Sequence, residues 1–114
     1  MDVYAEALQR DYGNLFISPY NLFEAWTRVD RCPDHRRRFF LANLENAFPM
    51  RLVPTDAEQL HLARGARRQF GRGSGSKAKL NMGDCFAYAL SKRIAEPLLY
   101  KGKDFPHTDV VSAL

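Results

Sequence analysis

The sequence predicts an α/β domain with a short, mostly parallel sheet. Three short segments, at residues 15–17, 51–53 and 98–100, have the length of buried strands, and the first and third are apolar throughout. Longer stretches with apolar residues at helical spacing separate these runs. Alternating strands and helices are typical of parallel sheets, because a parallel connection needs a long crossover that is usually a helix. We therefore expect one sheet flanked by helices.

Residues that favour helix ends bound the two N-terminal helices. The first helix is predicted over residues 3–12 and ends before Gly13, a residue common after helix C-termini. The second begins at Ser18, because serine caps helix N-termini, and Pro19 suits the first helical position. It is predicted to run to about Arg31. The strand at 15–17 would therefore lie between two helices.

The rest of the chain continues the alternation. A third helix is predicted over residues 34–47, and Thr55 with Glu58 forms a capping box that opens a fourth. The Gly/Ser/Lys-rich segment 71–79 predicts a mobile loop. A fifth helix starts near Asp84 and leads to the third strand, and two valines at 110–111 can add a last edge strand.

Composition limits the class of protein. With 114 residues and a net charge of +4, the chain has room for one domain, residues 1–114, and permits an anionic partner without requiring one. Cys32 and Cys85 are too few for a disulfide framework. The N-terminus lacks the apolar core of a signal peptide, and no apolar run reaches the roughly 18 residues of a membrane span. We expect a cytoplasmic protein.

Acidic residues are placed where a parallel sheet would gather them. Asp84 lies in the first turn of its helix, and Asp104 and Asp109 follow the 98–100 run. Ligands of open α/β sheets bind beyond the carboxyl ends of the strands, and hard cations such as Mg²⁺ take oxygen ligands. This pattern favours a divalent-metal site, although Asp84 alone would also be explained by the helix dipole.

Glu24 has two interpretations that the sequence leaves open. It lies in the middle of the second predicted helix, four residues before Arg28. The two side chains can form an exposed ion pair, since residues four apart share a helix face. Alternatively, Glu24 is a fourth acidic group directed at the same crevice as the aspartates.

The basic residues do not form a phosphate-binding loop. In the run GRGSGSKA, Ser76 stands where the glycine before Lys77 is needed, and Ala78 replaces the required serine or threonine. Arg72, Lys77 and Lys79 can still contact a nucleic-acid backbone. The arginines at 36–38, 64, 67 and 68 are either solvated helix faces or phosphate contacts.

Residues 80–110, LNMGDCFAYALSKRIAEPLLYKGKDFPHTDV, carry a specific pattern. The pattern consists of short motifs at fixed spacing: Gly83-Asp84-Cys85-Phe86, Tyr88-Ala89-Leu90, Pro97-Leu98-Leu99, Lys101-Gly102, Asp104-Phe105 and Thr108-Asp109. It resembles the C-terminal signature of PIN-domain ribonucleases, and more narrowly that of the VapC-type toxins of bacterial toxin–antitoxin pairs. Upstream the likeness is weaker but continuous, so it covers most of the chain.

The resemblance implies a three-layer PIN-like fold and a set of functional residues. By motif position, Glu24, Asp84 and Asp104 match the catalytic acids, and these three with Asp109 match the metal ligands. The implied cofactor is Mg²⁺ or Mn²⁺, and the implied reaction is cleavage of RNA by metal-activated water. The implied partners are an RNA substrate, a cognate VapB-like antitoxin and a second copy of the chain in a homodimer.

The N-terminus departs from the family pattern. The family opens with an apolar strand that ends in Asp, whereas this chain begins MDVYAEALQR, and no strand precedes Asp2. We therefore expect an N-terminally truncated PIN-like domain without the first, central strand, with weakened metal binding and impaired activity. The alternative is a catalytically inactive PIN remnant that acts as a dimerising or antitoxin-binding module.

Overall fold

The computed structural model describes residues 2–114, apart from the side chains of residues 40, 41, 44 and 45. Helices and strands alternate in the order α1 (Val3–Arg10), β1 (Leu15–Ile17), α2 (Pro19–Asp30), α3 (His35–Ala47), β2 (Met50–Leu52), α4 (Ala57–Phe70), α5 (Met82–Ile94) and a 3₁₀ turn, η1 (Phe105–His107). The order confirms the predicted α/β class. No helix among residues 2–114 is long and apolar enough to cross a membrane.

The sheet is parallel and shorter than predicted. Within residues 2–114 it has two strands, with Leu15 opposite Met50 and Ile17 opposite Leu52. The run at 98–100 forms no full strand, and neither does 110–111. Instead, one parallel bridge joins Leu98 to Ser112. Those two strand predictions were too long, because the backbone pairing between the two segments is confined to the two hydrogen bonds of Leu98, with Val111 and Ala113, and does not continue into a ladder.

The fourth helix is capped by a different residue from the one predicted. The carboxylate of Asp56 accepts the Gln59 N–H at 2.8 Å, so Asp56 and not Thr55 is the N-cap. Asp56 also binds the guanidinium of Arg93 at 3.0 Å, and Glu58 lies 3.3 Å from the same group instead of closing a capping box. A carboxylate can serve the helix N-terminus and a cation at once, which a threonine hydroxyl cannot do.

The core is centred on the contact between α4 and α5. Small residues allow the two helices to approach closely: Ala66 is 2% exposed and Ala89 is fully buried. Larger side chains fill the space around this contact, and the rings of Phe70 and Tyr88 lie 5.8 Å apart. Removal of this apolar surface from water is the main stabilising contribution. This packing against α4 therefore fixes the position of α5.

The segment between α4 and α5, which the composition predicted to be a mobile loop, is anchored at both ends. The Leu80 N–H donates to the Phe70 carbonyl at 2.9 Å, and the Arg72 N–H donates to the Leu80 carbonyl at 3.2 Å. Ala78 and Leu80 are almost completely buried. The buried apolar residues at the C-terminal end of this segment thus anchor the loop, while Lys77 stays exposed.

Gly71 and Gly65 provide a matched pair for testing the end of α4. A Cβ at Gly71 would lie 2.4 Å from the Arg67 carbonyl oxygen, whereas a Cβ at Gly65 would meet nothing within 4 Å. We expect Gly71→Ala to lower the free energy of unfolding by about 1–3 kcal/mol through overpacking. Gly65→Ala should raise it by about 1 kcal/mol through helix propensity. Urea denaturation of both variants measures the difference, and equal effects would contradict the tight turn.

Candidate active site

Polar and aromatic contacts hold α2 against the first turn of α5. The Asn21 side-chain amide donates to the Gly83 carbonyl at 2.9 Å. Asn21 is itself held by Ser18, whose hydroxyl donates to the Asn21 side-chain oxygen and accepts the Asn21 N–H at 3.1 Å. The Tyr20 and Phe86 rings stack at 5.1 Å. Together these contacts fix the position of α2 relative to the α5 N-terminus.

Glu24 lies one helical turn beyond this contact and reaches the same glycine. A Cβ built on Gly83 would lie 2.8 Å from Oε1 and 3.0 Å from Oε2 of Glu24. The carboxylate therefore packs directly on the buried backbone at the start of α5, where the helix dipole favours a negative charge. Among the described residues Glu24 forms no ion pair with Arg28. The structure thus directs Glu24 toward α5, and its role as a fourth acidic group of a metal site stays a prediction.

Asp84 follows Gly83 and occupies the third position of α5. Its Oδ2 accepts the Asn81 N–H at 3.1 Å, and the Asn81 side-chain oxygen accepts the Asp84 N–H at 2.9 Å. This reciprocal capping box fixes the carboxylate at the helix start. Helix capping is therefore one role of Asp84. The Glu24 carboxylate of α2 thus packs on Gly83, the residue before Asp84.

Asp109 lies along the middle of α5. Its Oδ1 accepts the Tyr88 hydroxyl at 2.7 Å, and its Oδ2 lies 3.0 Å from Nζ of Lys92. Tyr88 and Lys92 come four and eight residues after Asp84, which is roughly 6 and 12 Å along the helix axis. Both oxygens of Asp109 are thus engaged by groups on later turns.

These contacts also shift two pKa values. Partial burial alone would raise the pKa of Asp109, but the hydrogen bonds from Tyr88 and Lys92 and the charge of Lys92 outweigh it, so the pKa is lowered. Burial, followed by the hydrogen bond to Asp109 and its charge, raises the pKa of Tyr88 well above its ordinary value. At neutral pH, Asp109 is therefore an anion that accepts a hydrogen bond from the protonated Tyr88 hydroxyl.

Asp104 is half-buried and immediately precedes the 3₁₀ turn η1. Its backbone carbonyl accepts the His107 N–H at 3.2 Å, while its side chain makes no capping hydrogen bond. The next residue, Phe105, is buried in the core beside Tyr100. Packing of Phe105 therefore fixes the backbone position of Asp104 near the end of the 98–100 segment.

The described residues contain no group of three or more His, Cys, Asp or Glu side chains arranged to hold a metal ion. The structure brings Glu24 and Asp84 to one helix turn and places Asp109 against other partners. Mg²⁺ is commonly bound through one or two carboxylates, with waters and substrate phosphates as the other ligands. The oxygen donors of Glu24 and Asp84 fit such a site. The full ligand set predicted from the sequence stays a prediction.

Two residues of this site were missed by sequence reasoning. Asn21 precedes Glu24 by three positions and so shares its helix face, which is a signal that both side chains address one neighbour. Gly83 lies in the first turn of a helix, where glycine is less favourable than alanine, so a packing reason was to be expected. Here the reason is the Glu24 carboxylate, which occupies the space a Cβ would take.

Gly83→Ala tests whether the Glu24 carboxylate belongs to a metal site. The new methyl group would displace the end of a flexible side chain, so the free energy of unfolding should stay within about 1 kcal/mol of the parent value. Affinity for Mn²⁺, followed by electron paramagnetic resonance, should fall at least about tenfold. Gly65→Ala is the matched control and should bind Mn²⁺ like the parent. Unchanged affinity in Gly83→Ala would contradict the role of this contact.

The lowered pKa of Asp109 predicts acid-sensitive stabilisation. The contribution is present above its ordinary pKa of 3.8 and is lost as the pH falls through the lower folded-state value. Because the side chain is largely exposed, we expect Asp109→Asn to cost only about 0.5–1 kcal/mol at pH 7, and less at pH 3. Denaturation at both pH values measures this. The exposed Asp30→Asn is the control, and a cost independent of pH would argue against the ion pair.

Known proteins share this sequence over most of its length. The PIN domain profile matches residues 1–111. Ribonuclease VapC42 of Mycobacterium tuberculosis is 38% identical over 110 residues, covering 95% of this chain and 82% of that protein. Ribonuclease VapC28 of the same organism is 56% identical over 61 residues, covering 54% of this chain and 46% of that protein. The chain belongs to the PIN-domain family, within the group of VapC ribonucleases.

Proposed function

We propose that this chain is a VapC-type endoribonuclease that cleaves RNA with the help of a divalent metal ion. Membership of the PIN-domain family supports the class of reaction. The observation that carries the proposal is the packing of the Glu24 carboxylate on Gly83, directly before Asp84. The hydrogen bond from Asn21 to the Gly83 carbonyl supports this packing, because it holds α2 against the first turn of α5.

Glu24 and Asp84 are the residues proposed to hold Mg²⁺ or Mn²⁺, with Asp104 as the third candidate. When bound, such a cation offsets phosphate charge and lowers the pKa of water. The capping box keeps Asp84 at the helix start, so little reorganisation is needed. Glu24, held at the first turn of α5, would orient the attacking water and accept its proton. Asp109 is the weakest candidate ligand, because Tyr88 and Lys92 engage both of its oxygens.

Basic residues near the acidic turn would bind the RNA backbone. Burial and then the charge of Asp84 raise the pKa of the Cys85 thiol, while the charge of Arg67 acts in the opposite direction. The positive charge of Arg67 therefore acts on Cys85, which lies in the first turn of α5. The proposed backbone contacts Arg72, Lys77 and Lys79 are exposed on the anchored loop that follows α4. Such contacts would make RNA affinity depend on salt concentration.

The second candidate function is a catalytically inactive module that binds a VapB-like antitoxin or forms a homodimer. The lack of a three-ligand group among the described residues favours it. Exposed aromatic side chains, Phe23 and Phe39, are available for such contacts on α2 and α3. Both candidate functions place the protein in the cytoplasm, where its RNA or antitoxin partner would be found.

An RNA-cleavage assay with Mg²⁺ or Mn²⁺ tests the proposed reaction. We expect Glu24→Gln and Asp84→Asn to lower the rate at least about a hundredfold, because each removes a carboxylate proposed to hold the metal ion that offsets phosphate charge. Glu58→Gln is the matched control. Glu58 binds Arg93 at the opposite end of α5, roughly 13 Å along the axis from Asp84, and its loss should leave the rate unchanged.

The same assay separates the two candidate functions. Cleavage that disappears in both acid variants but persists in the control supports the ribonuclease. Equal cleavage by the parent and by Asp84→Asn would reject it, since a contaminating nuclease would then account for the activity. No cleavage by any of the proteins, together with co-purification of the product of the adjacent gene, would favour the binding module.

A further inference from the structure

Three contacts from α5 converge on Asp109. The Tyr88 hydroxyl donates to Oδ1 at 2.7 Å, and Nζ of Lys92 lies 3.0 Å from Oδ2. The same ammonium group donates to the Asp109 backbone carbonyl at 3.0 Å. It also lies 5.7 Å from the centre of the Tyr88 ring, so the two donor side chains contact each other. Tyr88, Lys92 and Asp109 are called the clamp below.

The clamp is better suited to fixing a position than to adding stability. The side chains of Asp109 and Lys92 are 60% and 32% exposed, and exposed ion pairs contribute little free energy. Tyr88, by contrast, is 7% exposed, and its ring packs against Phe70 in the core. Because the core immobilises the Tyr88 ring, its hydroxyl is a fixed point for the Asp109 carboxylate.

The clamp lies on the face of α5 that carries Asp84. Tyr88 and Lys92 follow Asp84 by four and eight residues, and residues at this spacing share one side of a helix. Asp109 is therefore attached to the same face, one to two turns beyond Asp84. A divalent cation bound to Asp109 would lie close to the Lys92 ammonium group, and the two positive charges would repel each other. The surroundings of Asp109 therefore suit the ion pair better than a metal ion.

Hydrogen bonds within the 3₁₀ turn connect Asp109 back to Asp104. The Asp104 carbonyl accepts the His107 N–H at 3.2 Å, and the Phe105 carbonyl accepts the Thr108 N–H at 2.9 Å. The Thr108 hydroxyl donates to the same Phe105 carbonyl at 2.7 Å. The turn is thus one hydrogen-bonded unit, with Asp104 at its start and Asp109 directly after its end.

The turn has two anchors. Phe105, only 7% exposed, provides the first, in the core beside Tyr100. One buried side chain would leave the turn free to pivot, since apolar contacts are non-directional. The clamp provides the second anchor, and it attaches the turn to the helix that carries Asp84. The two anchors together determine where Asp104 lies relative to Asp84.

We infer that Asp109 is a positioning residue, which holds the 3₁₀ turn against α5 so that Asp104 keeps its place relative to Asp84, and that it does not itself bind the metal ion. The inference rests on the proposed function, in which Asp84 and Asp104 are candidate metal ligands. It replaces the role of ligand that the sequence pattern implied for Asp109. Groups that orient metal ligands typically change metal affinity or activity about ten- to a hundredfold when they are replaced.

Two substitutions release Asp109 from different sides. Tyr88→Phe keeps the buried ring and removes the hydroxyl, and Lys92→Met keeps the length of the side chain and removes the charge. Affinity for Mn²⁺, followed by electron paramagnetic resonance, should fall at least about tenfold in each variant. Tyr12→Phe is the matched control, because it removes the same hydroxyl from a ring that is 58% exposed, and its affinity should equal that of the parent.

Repeating Tyr88→Phe in an Asp104→Asn background separates the possible roles of the clamp. If the clamp acts through Asp104, the double variant should bind Mn²⁺ within about twofold of Asp104→Asn alone, because two changes that remove one interaction are not additive. A general loss of packing would lower the affinity equally in both backgrounds. If Asp109 were a ligand, Tyr88→Phe would free one of its oxygens, and the affinity would stay the same or rise.

Amide hydrogen exchange of the metal-free protein reports the turn directly. The His107 and Thr108 N–H groups should exchange at least about ten times faster in Tyr88→Phe and Lys92→Met than in Tyr12→Phe, because the released turn opens more often. Exchange within α4 should stay unchanged, which verifies that the core is intact.

Three outcomes would overturn the inference. The first is Mn²⁺ affinity equal to the control in both released variants. The second is a fall that is equally large in the Asp104→Asn background, and the third is unchanged exchange at His107 and Thr108. A parent chain that binds no Mn²⁺ would instead reject the proposed function, and the exchange measurement would still decide whether the clamp holds the turn.

Discussion

The hydrogen bond from Asn21 to the Gly83 carbonyl is the contact on which the candidate site depends. A helix packed against a neighbour by apolar contacts alone can slide or rotate with little change in energy, since such contacts are non-directional. A directional bond to one carbonyl removes that freedom. Ser18, only 1% exposed, orients the Asn21 side-chain amide by donating its hydroxyl hydrogen to the amide oxygen. Glu24, one turn further along α2, then reaches Gly83 in a fixed register.

The second partner in this arrangement, α5, is held in place independently by α4. Alanines at the helix contact allow close packing, and Arg93 links the far end of α5 to Asp56 and Glu58 at the start of α4. Exposed ion pairs of this kind contribute little stability, so the buried alanine contact is the dominant interaction. The first turn of α5 is thereby free to serve the site, with its dipole directed at the acids.

Local sequence signals predicted most of the helices and strands, and the helical position of Asp84. Ser18 and Pro19 marked the start of α2, and the position of Asp84 in the first turn of α5 followed from the helix pattern. The side-chain partners of Asp56 and Asp109 could not be predicted from these local signals. Asp56 displaced Thr55 as a cap because it also meets Arg93, and Asp109 engages Tyr88 and Lys92. Both outcomes depend on contacts between residues distant in sequence, which propensity and spacing do not encode.

β1 connects the candidate site to the sheet. It has three residues, is paired by β2, and continues directly into Ser18, Asn21 and Glu24. A two-stranded sheet of this length is held by few hydrogen bonds, so it determines the position of α2 only weakly. The Asn21 bond to the Gly83 carbonyl supplies the constraint that the sheet does not, because it joins α2 directly to α5. The backbone that carries Glu24 is therefore positioned by its contact with α5 more than by the strand that precedes it.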